Sequence, residues 1–165
     1  MDPLNIVVLA FAVALAIGWY LSYTAVRLDR LHIRLEATGS ALDAQLVRRA
    51  EGSIDMAYSG YLDQASAALV AEAARHCMDI EGAKGGPRYA AETALTQVLR
   101  VAMPNPLPEA EEAAMRVRLA RSFHNEAVDQ TRTVRQKWAV RTFHLAGRTD
   151  LPVPVNFDDG WPPPT

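Results

Sequence analysis

The most strongly patterned part of the chain is an uncharged apolar run at residues 6–26. As a helix with a rise of about 1.5 Å per residue, it would span roughly 30 Å, the thickness of a bilayer core. Trp19, Tyr20 and Tyr23 stand near its carboxyl end, where amphipathic rings favour the headgroup level. The run therefore predicts a transmembrane helix with an aromatic membrane interface.

The charges that flank this run predict its orientation. Arg27, Arg30 and Arg34 follow it, whereas the amino-terminal side carries Asp2 and no basic side chain. The positive-inside rule then puts residues 1–5 outside the cell membrane and the rest of the chain in the cytoplasm, with the three arginines at the lipid headgroups. A cleaved signal peptide would have a basic amino-terminal region and a shorter apolar core. An uncleaved single-pass anchor is therefore expected.

Residues 28–77 show apolar or small side chains at steps of three and four, which predicts one long amphipathic helix. Members of this stripe are Leu28, Leu31, Leu35, Leu42, Leu46, Ala50, Ile54, Ala57, Tyr61, Ala65 and Leu69. Gly39 predicts either a kink or a break with Ser40 as a new N-cap. A glycine-rich loop at 79–88 and a short helix at 89–102 are expected to follow.

A proline-rich turn at 103–109 separates that short helix from a last helix predicted at 109–146. Its apolar stripe comprises Ala113, Val117, Ala120, Phe123, Ala127, Val128, Thr131, Val134, Trp138 and Leu145. Glu109, Glu111 and Glu112 fall in its first turn, where negative charge complements the helix dipole. We expect Trp138 in the core and Gly147 as the C-cap.

Amphipathic helices need each other for burial, and a two-residue period is nowhere sustained, so no sheet is expected. The pattern predicts an all-α chain, a single N-terminal transmembrane helix followed by an antiparallel helical bundle of three or four long helices. The expected domains are the external N-terminus (1–5), the span (6–26), the cytoplasmic bundle (27–147) and a proline-rich extended tail (148–165).

Composition narrows the function classes. The formal net charge is −2, so no basic field indicates binding of nucleic acid. The single cysteine, Cys77, excludes an intramolecular disulfide and suits a reducing compartment. It adjoins His76, but His32, His124 and His144 lack the spacing of metal ligands. Neither a metal nor another cofactor is expected.

Catalytic patterns are also missing from the sequence. The serines do not stand in a nucleophile-elbow pattern, and the clustered glutamates of residues 109–112 suit a helix start better than acid–base chemistry. The Glu-x-x-His motif of carboxylate iron sites is absent from the sequence of every predicted helix. A non-catalytic protein is expected.

Two short motifs carry a family resemblance. RSFHNEAV at 121–128 places Arg121 and an aromatic residue before Asn125 and an Ala-Val pair. LDAQLVRRAE at 42–51 places an acidic residue, a glutamine, a leucine and an arginine pair on the first long helix. With the anchor and the helical layout, this order resembles the LemA family. The chain departs from that family after the arginine pair, where AEGSIDMA replaces the usual apolar-Pro-Asn motif.

The resemblance implies a membrane-anchored helical bundle with no established catalytic residues. The motif residues concerned are Asp43, Gln45, Arg48, Arg49, Arg121 and Asn125. They have two interpretations. One is a recognition patch for a protein partner. The other, which we prefer, is a structural polar cluster in which a partly buried asparagine fixes helix register and the arginines bond carboxylates or helix ends.

The tail also leaves two alternatives open. Disordered segments are usually poor in large apolar side chains, yet this one carries Leu151, Val153, Val155, Phe157 and Trp161. Either it docks on a membrane or cytoplasmic partner with Phe157 and Trp161 as anchors, or Val153, Val155 and Phe157 fold back onto the chain's own bundle.

Two functions from different classes remain, and both have the lipid bilayer as a partner. The first is a free membrane-anchored scaffold that recruits cytoplasmic proteins. The second is an accessory or assembly subunit of a larger membrane complex, for example a respiratory complex. Ala12, Ala16 and Gly18 would permit close helix contact in lipid, which favours the second function.

Overall fold

A computed structural model of the chain describes residues 3–80, 85–143 and 150–162. Of these residues 81% are helical, and none of them lies in a strand. The helices of this part are α1 (Pro3–Tyr58), α2 (Gln64–Asp79), α3 (Gly86–Ala102), α4 (Pro108–Arg135) and α5 (Trp138–Thr142). The prediction of an all-α chain is confirmed for the described residues.

Helix α1 joins the predicted span and the start of the predicted bundle in one helix of 56 residues. The break considered near Gly39, with Ser40 as a new N-cap, does not occur there, since residues 38–42 are helical. A glycine inside a helix costs only about 1 kcal/mol, and burial of Leu42 and Leu46 on the next turns offsets that cost. Gly39 lies against His124, whose ring would be 3.5 Å from an added Cβ.

The break lies further along, at residues 59–63. Gly60 adopts φ 81°, a left-handed conformation that other residues avoid. Asp63 then caps α2, because its carboxylate accepts hydrogen bonds from the backbone N–H groups of Ser66 and Ala65. Hydrogen bonding from Ser66 is the largest cause that holds the pKa of Asp63 below its usual value. The single helix predicted for 28–77 is therefore two helices.

This connection resets the helical phase, so the predicted stripe does not continue into α2. On α1 the stripe is confirmed by the buried side chains of Leu28, Leu42, Leu46, Ala50 and Ala57. Tyr61 and Leu69, which the unbroken helix would have buried, are exposed. The buried face of α2 consists instead of Val70, Ala71, Ala74 and Cys77.

Helix α3 begins at Gly86, earlier than the predicted residue 89. Pro87 stands in its first turn, where the missing N–H is not needed for helical hydrogen bonds and the fixed φ favours the helix. Gly85, just before it, has φ 94°, which again favours glycine. The proline that suggested a loop thus belongs to the helix start.

The last predicted helix is also divided. Glu109 and Glu111 are confirmed in its first turn, whereas Glu112 lies beyond it. Helix α4 ends at Arg135, where the N–H of Lys137 donates to the carbonyl of Val134 in a tight i−3 turn. Helix α5 starts anew at Trp138, and Gly147 lies outside the described residues. The prediction that Trp138 is in the core is wrong, because its side chain is 74% exposed and contacts Phe143 edge to face.

The chain divides into two compact units. Unit 1 comprises Met1–Glu36 and Ala127–Val153, and unit 2 comprises Ala37–Glu126 and Pro154–Thr165. In unit 1, the buried side chains of Leu28, Val134 and Val140 form a small apolar cluster.

Unit 2 holds two larger clusters of buried apolar side chains. The first draws on four helices and the tail, and α2 and α3 pack together within it. Its buried members are Ala50, Ala57, Val70, Ala71, Ala74, Cys77, Ala91, Leu95, Leu99, Met103, Ala110 and Trp161. The second cluster contains Leu42 and Leu46 of α1, Val117 of α4, and Val155 and Phe157 of the tail. The tail is thus part of the core of unit 2.

Candidate interaction site

The tail lies in unit 2 as an extended segment in which buried and exposed side chains alternate. Val155, Phe157, Asp159 and Trp161 are buried, whereas the residues between them are exposed or half-buried. An extended chain projects successive side chains to opposite sides, so one face of this segment is turned toward the unit. We name residues 155–162 the tail strap. The tail groove that holds it is formed by Tyr89, Thr93 and Arg100 of α3 and by Arg118, Arg121 and Asn125 of α4.

Asn125 binds the backbone of the strap. Its Nδ2 donates to the carbonyl of Val155 at 2.9 Å, and its Oδ1 accepts from the N–H of Val155 at 2.8 Å. One side-chain amide thereby satisfies both polar groups of one residue, as a neighbouring strand would. The structural interpretation of Asn125 therefore needs a correction, because its partner is the tail backbone, and this pair of bonds does not set the register between helices.

Arg121 binds the strap through a charged side chain. Its Nε and Nη2 donate to the two carboxylate oxygens of Asp159 at 2.7 and 2.9 Å, a bidentate arrangement that adds both energy and directionality. The same guanidinium lies 5.6 Å from the ring centroid of Phe157, within cation–π range. The arginine and the asparagine of the RSFHNEAV motif thus hold one peptide segment.

Two more arginines complete the polar contacts. Arg118 donates to the carbonyl of Pro162 at 2.6 Å, and Arg100 of α3 pairs with Asp158 at 3.0 Å. The N–H of Asp158 donates to the hydroxyl of Thr93 at 3.1 Å. A hydrogen bond from the Gly160 N–H, and after it the bond from Arg100, hold the pKa of Asp158 below its usual value. Consecutive carboxylates of the strap therefore meet arginines on two different helices.

Apolar contacts hold the other side chains of the strap. Val155 and Phe157 pack with Leu42 and Leu46, and the Phe157 ring stacks on Tyr89 with centroids 5.9 Å apart. Burial raises the pKa of Tyr89. Of the two alternatives for the tail, the structure shows the fold-back for Val155 and Phe157.

Phe157 and Trp161, the proposed anchors for a partner, are therefore buried in the chain itself. Val153 differs from the fold-back expectation, because it is exposed.

A second polar cluster is buried beneath α3. Arg49 of α1 donates to a carboxylate oxygen of Glu92 at 2.6 Å and to the hydroxyl of Thr96 at 3.2 Å. Glu92 also lies 3.3 Å from the Nε of Arg88. Both members of the Arg49–Glu92 pair are almost fully buried, where each charge needs a partner because neither is hydrated.

We name Arg49, Arg88, Glu92 and Thr96 the buried arginine cluster, and Arg88 connects it to the surface. It donates to the carbonyl of Cys77 at 3.0 Å and lies 3.4 Å from the carboxylate of Asp43. Asp43 thus pairs with an arginine of α3 and not with Arg48. The charges of Arg49 and Arg88 are balanced by those of Glu92 and Asp43. This arrangement agrees with the interpretation of Asp43 and Arg49 as members of a structural polar cluster. Gln45 is half-buried and Arg48 is exposed, and their role in binding a partner stays a prediction.

Sequence reasoning missed Arg88, Glu92 and Thr96, although a signal was present. These residues recur every four positions on α3, beside the apolar row of Leu95 and Leu99. A polar row at helical spacing next to an apolar row indicates a buried ion pair when a charge on another helix faces it. Asp159 was missed for another reason, because its partner Arg121 is distant in sequence.

The surroundings of this cluster offer little room for a ligand. A cleft of about 60 Å³ beside Arg49 is lined by Ser53, Glu109 and Trp161 among others, whereas ligand pockets measure roughly 300–1,000 Å³. Cys77 is fully buried. Burial and, after it, the charge of Glu92 raise the pKa of its thiol to about 12, so the thiol is protonated and unreactive at neutral pH.

The residues predicted for the membrane interface are exposed on α1. Trp19, Tyr20 and Tyr23 present their rings at the surface, and Arg27 and Arg30 are exposed as well. Arg34 is also exposed and donates to the side-chain oxygen of Gln130 at 3.0 Å, within unit 1. The amino-terminal part of α1 is long and apolar enough to cross a membrane. None of the residues in its most apolar 18-residue stretch is buried.

Comparisons of the chain with protein-family models, with curated proteins and with solved structures find no match. The resemblance to the LemA family therefore rests on the two motifs and the layout of the helices.

Proposed function

We propose that this chain is a single-pass membrane protein whose unit 2 acts as a non-catalytic scaffold for other proteins, as the LemA resemblance implies. One observation carries the proposal. The apolar residues at the start of α1, Phe11 and Leu15 among them, are exposed throughout residues 3–20. A contiguous apolar surface of this length needs a covering, and its length fits a bilayer.

In this proposal residues 1–5 lie outside and unit 2 lies in the cytoplasm, since the arginines follow the span. Within unit 2, the helices form an antiparallel bundle. Short connections at 59–63 and 103–107 support this arrangement, because short loops join antiparallel neighbours. Packing of α2 on α3 supports it as well.

Membrane extraction tests the anchor. The wild-type chain should stay in the membrane pellet during alkaline carbonate washing. Replacing both Leu9 and Ala14 by arginine should release it, because each arginine at a span centre costs about 2.5–3.5 kcal/mol. Replacing Leu69 and Val101 by arginine, both exposed in unit 2, is the matched control and should leave the chain in the pellet. Release of the wild-type chain would contradict the proposal.

Thiol labelling tests the orientation. The buried, protonated Cys77 is not a usable reporter, but exposed positions 5 and 51 are. An impermeant reagent should label Asn5→Cys on intact cells and Glu51→Cys only after permeabilisation. The reverse pattern would show that unit 2 is outside.

The second candidate function, a subunit of a larger membrane complex, is favoured by an exposed apolar row on α4. Met115, Leu119 and Phe123 follow at steps of four on one exposed face of that helix. Gentle detergent extraction and native-gel sizing separate the two candidates. A discrete large band that Leu119→Glu abolishes and Leu69→Glu retains would favour the subunit, whereas a small species in both cases would favour the free scaffold.

A further inference from the structure

The tail strap is joined to the rest of the chain through an exposed segment. Leu151, Val153 and Pro154 are exposed, and Pro152 is half-buried. The burial that holds the tail begins only at Val155. We name residues 151–154 the hinge, because a change of backbone direction there would leave the contacts of the strap in the groove in place.

The tail groove recognises features that a separate peptide could supply. Asn125 and Arg118 bind backbone groups of the strap, Arg121 binds one carboxylate, and the remaining contacts are apolar. The matching ligand is an extended peptide with apolar side chains at its first and third positions, aspartate at the fifth and tryptophan at the seventh. Addition of an extended peptide through main-chain bonds and alternate side chains is a known recognition mode.

We propose that the tail groove is a peptide-binding site that takes the strap of a second copy of this chain, so that two copies exchange tails. Each exchanged strap makes the same contacts that it makes in its own groove, which is why such swapping costs little. The exposed hinge is the element that redirects the tail, because its residues are the part of the tail that exchange has to rearrange. Tail exchange requires the groove and the hinge, not the membrane anchor.

A charge swap between two full-length chains tests this inference. One chain carries Arg121→Asp and the other, with a different tag, carries Asp159→Arg. Inside each chain the groove and strap then repel, whereas each groove matches the strap of the other chain. The mixed pair, extracted in mild detergent, should co-purify at least roughly tenfold better than either variant with a tagged copy of itself.

A control and a contrary outcome complete the charge swap. The chain with both replacements restores the match within one molecule, and mixing it with the wild-type chain, whose groove and strap both repel those of the double variant, should give no such enrichment. Failure of the mixed pair to co-purify, with both variants as helical as the wild type by circular dichroism, would overturn the proposal.

Photocrosslinking tests exchange without altering the groove. Asn156 is exposed between two buried strap residues, so a benzoylphenylalanine there leaves the strap contacts in place. Irradiation of two differently tagged full-length chains should give a covalent dimer joined from position 156 to a peptide that borders the tail groove of the other chain. The same crosslinker at Leu69 on α2 should not give that dimer. Crosslinks from position 156 that all remain within one chain would refute the exchange.

Discussion

Units 1 and 2 differ in what covers their apolar side chains. In unit 2, helices and tail cover Leu46, Leu95 and Val117, and even the charges of Arg49 and Glu92 are paired inside. In unit 1, the buried cluster is small, and most large apolar side chains of the span are exposed. Unit 2 therefore covers its apolar side chains with its own residues, whereas unit 1 leaves most of the large apolar side chains at the start of α1 exposed.

The sharpest test of this difference concerns the buried arginine cluster. Replacing Glu92 by alanine removes the carboxylate that Arg49 and Arg88 share, and should cost about 3–5 kcal/mol because two arginines lose their buried partner. Urea unfolding of the detergent-extracted chain, followed by circular dichroism, measures the change. Glu112→Ala is the matched control, because Glu112 pairs with Arg116 on the exposed face of α4, and its cost should be below about 0.5 kcal/mol.

Two tryptophans compare the units directly. Trp161 of unit 2 is 4% exposed and Trp138 of unit 1 is 74% exposed. Trp161→Ala should cost about 3–5 kcal/mol in the same unfolding measurement, and Trp138→Ala less than about 1 kcal/mol. Equal effects would show that the tail is not part of the cooperative core of unit 2.

The Asn125 clamp should have an intermediate effect. Asn125→Ala leaves the N–H and carbonyl of Val155 without their side-chain partner, at a cost of about 1–3 kcal/mol. Faster hydrogen exchange at the amide of Val155 is the specific readout. Asn156→Ala, one residue further on the exposed side of the strap, should change neither the exchange rate nor the stability.

The smallest expected effect is that of pH on His124. Burial lowers its pKa from the ordinary value of 6.5, so below that value the unfolded chain binds a proton more readily than the folded chain does. Stability should therefore be complete above pH 6.5 and fall as the pH drops below it. Melting temperatures of the wild type and of His124→Gln are measured across this range. The fall below pH 6.5 should be smaller in His124→Gln than in the wild type, because the variant lacks the titrating ring.

Much of the fold could be predicted from the spacing of apolar residues, since α1 buries most of its predicted stripe and α4 buries Val117, Ala127, Val128 and Val134. The expected burial of Phe123 on the same stripe is wrong, because its side chain is exposed.

The helix break could not be predicted, because Gly39 and Gly60 have the same intrinsic helix penalty. What decides between them is the left-handed turn at Gly60 and the cap at Asp63. The prediction for Trp138 was wrong for a related reason. A short turn after Arg135 separates α4 from α5, so the apolar spacing of α4 does not determine which side of α5 is buried.

The sequence indicated some residues of the candidate site but not the contacts that they make. Arg121 and Asn125 stood out in the motif, but Val155 is 30 residues from Asn125, and no periodicity connects the two. Pairing at such a distance depends on how the helices and the tail pack. Local spacing could have indicated Glu92 beside Arg88, but not its contact with Arg49.

The clamp at Val155 also limits which sequences the groove can accept. Because the hydrogen bonds of Asn125 go to the main-chain N–H and carbonyl of that residue, other apolar residues can form the same pair, whereas proline cannot because it has no N–H. One residue earlier the chain does carry a proline, Pro154, on the exposed side. If the tail shifted by one position so that residue 154 took the place of residue 155, this proline would face the asparagine, so Pro154 excludes that misaligned pairing.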